Sequence, residues 1–527
     1  MERVSRSRTL RQVVEQLEAL MSAGTAEAPP PDAASVQEPV RPFDSAADAR
    51  IGRYLPLPVI ASPISQRGSL DRAGIVVIVD DRTGVGQCLN DLLAAQGWAV
   101  AVVGSSPALP GDVRTPADAD RLAGALHANY GPANALVHLG CLAGAGSAAM
   151  DSLQSLFLLA QALRPDLARS AGSGGAAILA AAALDGAFAL ESPGELAAER
   201  AGVFGFLKTL AQEWPAVRVK ALDVGLAEPG RVARWVVDEL FAADGQVEVG
   251  YRDGRRTRVE LAAASFGSEA EEPPLTGDSV LLVTGGARGI TAAVARHLAV
   301  QFRPRLVLVG RTQLPAGPES EATSGLDGQQ SLKRALIDRE RALGAEVTPG
   351  RIERLHRALM NQREVRATVE ELRRTGAQVD YRACDVRDAT SFTELIGQVY
   401  QTYGRIDGAI HGAGIIEDKL VADKALDSFI RVIETKASSA LTLANALKPE
   451  SLRFLVLFSS VAGRFGNRGQ ADYAAANEIV NKLAQQLDRS WPGRVVAINW
   501  GPWLTTGMVS PELKRQFADR GVELIPV

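Results

Sequence analysis

Residues 279–310, SVLLVTGGARGITAAVARHLAVQFRPRLVLVG, contain the order of elements that decides the fold. The apolar run SVLLV is short enough for a buried strand. The glycine-rich turn Thr284-Gly285-Gly286-Ala287-Arg288-Gly289-Ile290 follows it and opens a helix, and a second apolar run, RLVLVG, closes the unit. Strand, glycine turn, helix and strand in this order predict a βαβ crossover within a parallel sheet. Further back, AGIVVIVDDRTGVGQCLNDLLAAQGWAVAVVG (73–104) repeats the same order. NALVHLGCLAG (134–144) matches DGAIHGAGIIE (407–417), and GGAAILAAAALDG (174–186) matches RFLVLFSSVAG (453–463). The last matching pair is 201–229 with 475–503, each a helix ending in Trp-Pro (Trp214-Pro215, Trp491-Pro492) and then a buried strand.

One α/β architecture is thus written twice, and two tandem Rossmann-like, doubly wound parallel sheets are expected. The offset between copies grows from about 200 residues at the first strands to 277 at the Trp-Pro pair. A charged, amphipathic, helical insertion at about 318–376, broken at Pro349-Gly350, accounts for the growth. It reads as a packing hairpin or a lid, with a structural role preferred. Three segments follow. Residues 1–50 form a helix (7–21) on an Ala/Pro-rich tether, either solvated or in contact with a neighbouring domain. Residues 51–274 form the first copy, and 275–527 the second.

Composition excludes several classes. Hydrophobic residues make up 46% and charged residues 22%, with a net charge of −4 and no continuous basic stripe. Nucleic acid and an anionic membrane surface are therefore not expected partners. No apolar run has the length of a bilayer span, and the N-terminus lacks a signal-peptide core. Cys88, Cys141 and Cys384 have no metal-ligand spacing and read as buried apolar residues in a reducing cytoplasm. The five scattered histidines support neither a metal site nor a Ser-His-Asp triad.

In the second copy, the turn Thr284–Ile290 lets the backbone approach a pyrophosphate, whose charge is favoured at a helix N-terminus. Thr291 stands where many such loops carry another glycine, which is expected to move helix and sheet slightly apart. At the end of the next strand, Arg311 replaces the acidic residue that would bind an adenosine ribose. It favours a 2′-phosphate and hence NADPH; the alternative is a solvated strand-end arginine. Asp385 and Val386 end the following strand, where Asp385 suits an adenine amino group. In His411-Gly412-Ala413-Gly414, the small residues let the backbone pass close to a cofactor ribose.

The expected catalytic set is Tyr473, Ser460, Lys436 and Asn477. Tyr473 lies 13 residues after Ser460 and four before Asn477, so Tyr473 and Asn477 share a helix face. Lys436 precedes Tyr473 by 37 residues, on the preceding helix. A carbonyl that accepts hydride needs a proton at its oxygen, and a nearby cation would make the phenol a better donor. Ser460 adds a second donor to the developing oxyanion, and Asn477 can hold a relay water. Singly, each has a plain structural alternative: a turn cap, a half-buried aromatic, a solvated lysine.

TGGARGI, LVGR, CDV, HGAG, the Ser-Ser–Tyr–Asn set and the closing NWGPW resemble the ketoreductase domains of modular polyketide synthases and polyunsaturated fatty acid synthases. These lie within the short-chain dehydrogenase/reductase superfamily. The position of the lysine, 436 rather than four residues after the tyrosine, is the most discriminating point of resemblance. The resemblance implies NADPH-dependent reduction of a carrier-bound β-ketoacyl thioester in a bacterial cytoplasmic synthase, with an acyl carrier protein and neighbouring synthase domains as partners. It also implies a degenerate scaffold for the first copy, whose turn reads Asp80-Asp81-Arg82-Thr83-Gly84-Val85-Gly86 and which has no tyrosine at the matching place. Lys208 there reads as a surface lysine. Ile416-Glu417-Asp418 resembles the motif of members that give a D-hydroxyl, and Phe465 stands where the opposite class has tryptophan. Asp418 and Phe465 are thus the stereocontrol candidates and a D-product is expected. The insertion and GGARGIT are more similar to the polyunsaturated branch, and RTLRQVVEQLEALM resembles the last helix of a carrier domain. Thr505–Arg520 is the expected mobile lid, and in the family a further helix and strand follow the point reached by GVELIPV. Two other readings stay open: a stand-alone dehydrogenase for free alcohols or sugars, and a non-catalytic docking scaffold.

Overall fold

The computed structural model describes residues 52–104, 109, 111–191, 197–264, 275–315, 317–503 and 524–525. The expected N-terminal helix, the lid at 505–520 and the boundary near 274 lie outside the described residues.

Among the described residues there are two sheets. The first comprises β1 (Arg53–Ile60), β2 (Ile75–Val79), β3 (Val100–Val103), β4 (Ala133–Cys141), β5 (Ala177–Ala182), β6 (Arg218–Val224), β7 (Glu248–Arg252) and β8 (Arg255–Ala264), in the order β1-β8-β7-β6-β5-β4-β2-β3. The second comprises β9 (Val280–Thr284), β10 (Arg305–Gly310), β11 (Gln378–Ala383), β12 (Gly408–His411), β13 (Phe454–Ser460) and β14 (Arg494–Trp500), in the order β11-β10-β9-β12-β13-β14. All pairs of the second sheet are parallel. Its strand order reverses between β9 and β12, and in such sheets ligands bind outside the carboxyl ends of the strands at that point. Central strands such as β9 are buried on both faces, which is why their sequences are continuously apolar rather than alternating.

The first sheet departs from an all-parallel expectation at one edge. β7 and β8 form a hairpin through Asp253 (φ 49°) and Gly254 (φ 78°), and β1 pairs antiparallel with β8. Positive φ at both turn residues matches the twist of a tight hairpin, and Asp-Gly is its strongest short signal. That dipeptide, in YRDGRR (251–256), is legible in the sequence. Both Trp-Pro helices are as expected: Gly202–Glu213 is capped by Trp214 and Ala471–Ser490 by Trp491. Pro349 starts the second insertion helix (Pro349–Arg374), where a missing N–H costs nothing, and Thr348 caps it by accepting from Arg351 N. Its Val365, Val369 and Leu372 pack with Ala295 and Ala299 of the helix Gly289–Phe302.

One large buried cluster is common to the two halves. Phe157 and Phe206 of the first surround Phe429 of the second, with Phe157 and Phe429 stacked at 4.2 Å. Ala471, Ala475, Ala476 and Ile479 join the same buried cluster. The helices Gly202–Glu213 and Ala471–Ser490 meet so closely that a Cβ on Gly205 would lie 2.2 Å from the Ala474 carbonyl oxygen. Lys208 is therefore not a surface lysine. It is buried in this contact, 3.1 Å from Glu248 and 3.5 Å from Glu478, with Arg464 on Glu248 and Lys482 on Glu478. Cys141 is buried as expected, whereas Cys88 and Cys384 are only partly so. Among the described residues no helix is long and apolar enough to cross a membrane.

Candidate active site

The strand ends around the switch point bring together most of the expected cofactor residues. Gly285, at φ +72°, turns the chain so tightly against β12 that a Cβ there would meet the Gly412 carbonyl at 3.0 Å. Thr284 ties the same two turns: its Oγ1 lies 2.9 Å from His411 Nδ1 and 3.4 Å from Ala413 N. Gly412 has Thr291 over it, since a Cβ at 412 would fall 2.2 Å from Thr291 Oγ1. The residue in place of a helix glycine is thus accommodated by a glycine on the neighbouring turn. Gly286 packs beside Val283 and Leu308, while Gly289 and Ile290 open the helix.

The charged candidates have intramolecular partners. Arg288 pairs with Glu364 of the insertion helix at 2.6 Å. Asp385 is gripped by Arg387, whose hydrogen bond holds its carboxyl below the usual range, with a smaller contribution from Arg311. Val386 is buried and Arg311 is exposed at the end of β10. The glycine cradle and the helix N-terminus fit a dinucleotide, with Arg311 exposed at the second strand end. The corresponding turn of the first half does not, because Asp80 Oδ1 would lie 2.2 Å from a Cβ on Gly86, across the space an anion needs.

The expected catalytic residues come from three elements. Ser460 is the last residue of β13 and caps the short helix Val461–Phe465, accepting from Ala462 N at 3.2 Å. Tyr473 sits in the first turn of Ala471–Ser490. Burial raises its phenol pKa, hydrogen bonding to Asn477 and Ser460 opposes this more weakly, and the Asp418 charge adds to the rise. The side chain is therefore held protonated. Asn477 is fully buried and donates to the Tyr473 carbonyl at 2.8 Å, while its Oδ1 has no partner.

Lys436 lies in a π turn, Glu434–Ser438, between the helices Leu426–Ile433 and Ser439–Ala446. Such single-turn bulges insert one residue and occur often at functional sites. The turn packs on the tyrosine helix. Lys436 runs past Gly414 and donates to the Ala413 carbonyl at 3.2 Å, and burial brings its pKa down to about 7.

Several contributors escaped sequence reasoning. Buried His411 joins Thr284 Oγ1 to the Lys436 carbonyl (3.1 Å), and burial lowers its pKa to about 3. Lys424 is buried between Asp472 and the Glu417 carbonyl (2.6 Å), so it fastens the Ile416–Asp418 loop to the residue before Tyr473. Burial, partly offset by Lys424, raises the Asp472 pKa to about 6. Glu417 is taken up by Arg431 and Ser428. Asp418 faces outward and accepts from Gln470 Nε2 at 3.0 Å. Phe465 is 46% exposed and lines a groove with Lys208, Gln212 and Arg464, on the side of the first half.

A dinucleotide fold with a Ser–Tyr pair and a buried lysine defines an oxidoreductase of the short-chain dehydrogenase/reductase kind. Within that class, the stretch 279–505 belongs to the KR domain family, whose model it matches. The chain is 34% identical over 386 residues to a polyunsaturated fatty acid synthase polypeptide of Thraustochytrium sp., covering 70% of this chain and 14% of that protein. It is 30% identical over 320 residues to polyketide synthase PksL of Bacillus subtilis, covering 59% and 6%. The chain thus spans a small part of these relatives. Among solved structures, an N-terminal ketoreductase from the macrolactin assembly line superposes with a TM-score of 0.64 at 22% identity, covering 90% of this chain and 86% of that one. A-type ketoreductases from a modular polyketide synthase give 0.65 at 22% identity, covering 90% and 88%.

Proposed function

We propose that the chain reduces a β-ketoacyl thioester, presented by an acyl carrier protein within a larger synthase, to a D-configured β-hydroxyacyl thioester, with NADPH as reductant. The KR family match and the synthase relatives support the reaction class, and the observation that carries the chemistry is the half-buried Tyr473 within hydrogen-bond reach of Ser460. Residues 51–274 act as scaffold and 275–527 as catalytic unit. Thr284, Gly285, Gly286, Arg288, Gly289, Ile290, Gly412, Ala413 and Gly414 would hold the dinucleotide, with Asp385 and Val386 at its adenine end. Arg311 at the second strand end favours a 2′-phosphate over a ribose hydroxyl. The bound nicotinamide supplies the hydride.

The chain supplies the proton and the site for negative charge. Tyr473 Oη donates its proton to the carbonyl oxygen as that oxygen becomes an alkoxide, and Ser460 Oγ hydrogen-bonds the same oxygen. Asn477, four residues along the helix, is assigned the holding of a water that restores the proton, and the support is that its Oδ1 has no partner among the described residues. Lys436 fixes the Gly412–Gly414 turn through its bond to the Ala413 carbonyl. Asp418, hydrogen-bonded to Gln470, and Phe465 bias which face of the ketone meets the hydride.

The test is loss of NADPH absorbance with a β-ketoacyl-N-acetylcysteamine thioester, comparing wild type with Tyr473→Phe. The variant is expected to lose about a hundredfold or more in kcat while binding NADPH normally. Equal rates, or turnover of free alcohols alone, would overturn the reading, and chiral analysis of the product tests the D assignment.

A further inference from the structure

The two loops bordering the Tyr473 side of the site, Ile416–Val421 and Phe465–Gln470, are held from the first half. The carboxylate of Glu213 spans them: Val421 N donates to Oε2 at 2.7 Å and Gly469 N to Oε1 at 2.9 Å. Gln161 completes the grip on Val421 by donating to its carbonyl at 2.6 Å and to that of Lys424 at 2.9 Å. On the other loop, Thr209 Oγ1 accepts from Asn467 N at 3.1 Å, and Gln212 Nε2 donates to the Phe465 carbonyl at 2.8 Å. The loops then meet each other, through Lys419 N on the Gly469 carbonyl at 2.9 Å and Gln470 on Asp418.

We infer that Glu213 is a positioning residue for the reductase, setting the separation of the two loops and so the orientation in which the ketone meets Tyr473. A carboxylate is the one side chain of this length that accepts two N–H donors with no donor of its own. Both amides come from chain segments that would otherwise depend on water. The spacing of Asp418 and Gln470 is therefore set by a half that holds none of the reacting groups. The inference rests on the proposed reaction for its catalytic readout, but the geometric claim stands without it.

The test compares wild type with Glu213→Gln and Glu213→Asp, in the whole chain. Glu213→Gln keeps the shape but turns an N–H₂ toward one of the two amide donors. Amide hydrogen exchange is expected to rise about tenfold in peptides covering 416–421 and 466–470, with peptides covering 284–290 unchanged. In turnover of the N-acetylcysteamine thioester, Glu213→Gln is expected to raise KM about tenfold and erode the D:L product ratio, leaving NADPH affinity as in wild type. Glu213→Asp should recover part of the ratio. A fall in melting temperature with KM and product ratio unchanged would reduce Glu213 to a structural contact and overturn the inference, as would unchanged exchange in both loops. If wild type fails to turn over the thioester, the reaction is wrong, and the exchange experiment alone decides the role of Glu213.

Discussion

Tyr473 and His411 show how burial, rather than neighbouring charge, sets protonation here. The phenol is kept loaded with its proton, which a donor to a nascent alkoxide requires at neutral pH. His411 is neutral because burial holds its pKa near 3, and His138 in the first half is held near 4 for the same reason. In both, the folded value lies below that of the unfolded chain. The neutral form therefore contributes stability that is fully present above about pH 6.5 and is lost as pH falls toward the folded values. From pH 7 to pH 5, each is expected to cost about 2 kcal/mol, read as a falling urea midpoint, and a His138→Gln, His411→Gln double variant should flatten that fall. The candidate catalytic residues were legible because their chemistry and spacing are local. Asp472, Lys424 and Glu213 were not, because their side chains work through partners as far as 256 residues away. Arg288 was read only as part of the glycine-rich turn, and nothing near it in sequence announces Glu364.

At the scale of elements, the π turn Glu434–Ser438 adds a residue to a helix at the place where Lys436 must reach the Ala413 carbonyl. A helical period read from sequence assumes regular turns and gives no sign of such an insertion. The insertion helix Pro349–Arg374 is different. Its start was legible in Thr348-Pro349, and its buried residues show what it does. Leu372 is fully buried against the helix that opens from the glycine turn, while Met360 is 41% exposed. Leu372→Ala is expected to destabilise by about 2–5 kcal/mol in urea unfolding, and Met360→Ala to stay within about 0.5 kcal/mol. Equal effects would show that the helix does not belong to the core.

Over the whole molecule, the repeat in the sequence announced two sheets, but not that a large buried cluster would be common to both halves. The signs were small residues, Gly205 and Ala474–Ala476, whose smallness has meaning only once the helices face each other. Lys208 marks the middle of that contact. Replacing it with Met leaves Glu248 and Glu478 buried with one cation fewer, and a loss of about 3–5 kcal/mol is expected in equilibrium unfolding. A change below about 1 kcal/mol would mean that Arg464 and Lys482 suffice. The shared core also bears on engineering by exchange. Grafting only the stretch that carries the family signature would strip Phe429 and Ile479 of their cover and cut Val421 and Gly469 from their anchors. The smallest transplantable cassette is therefore the pair of halves, and chimeras with junctions between β8 and β9 should be built from halves that have matched helix seams.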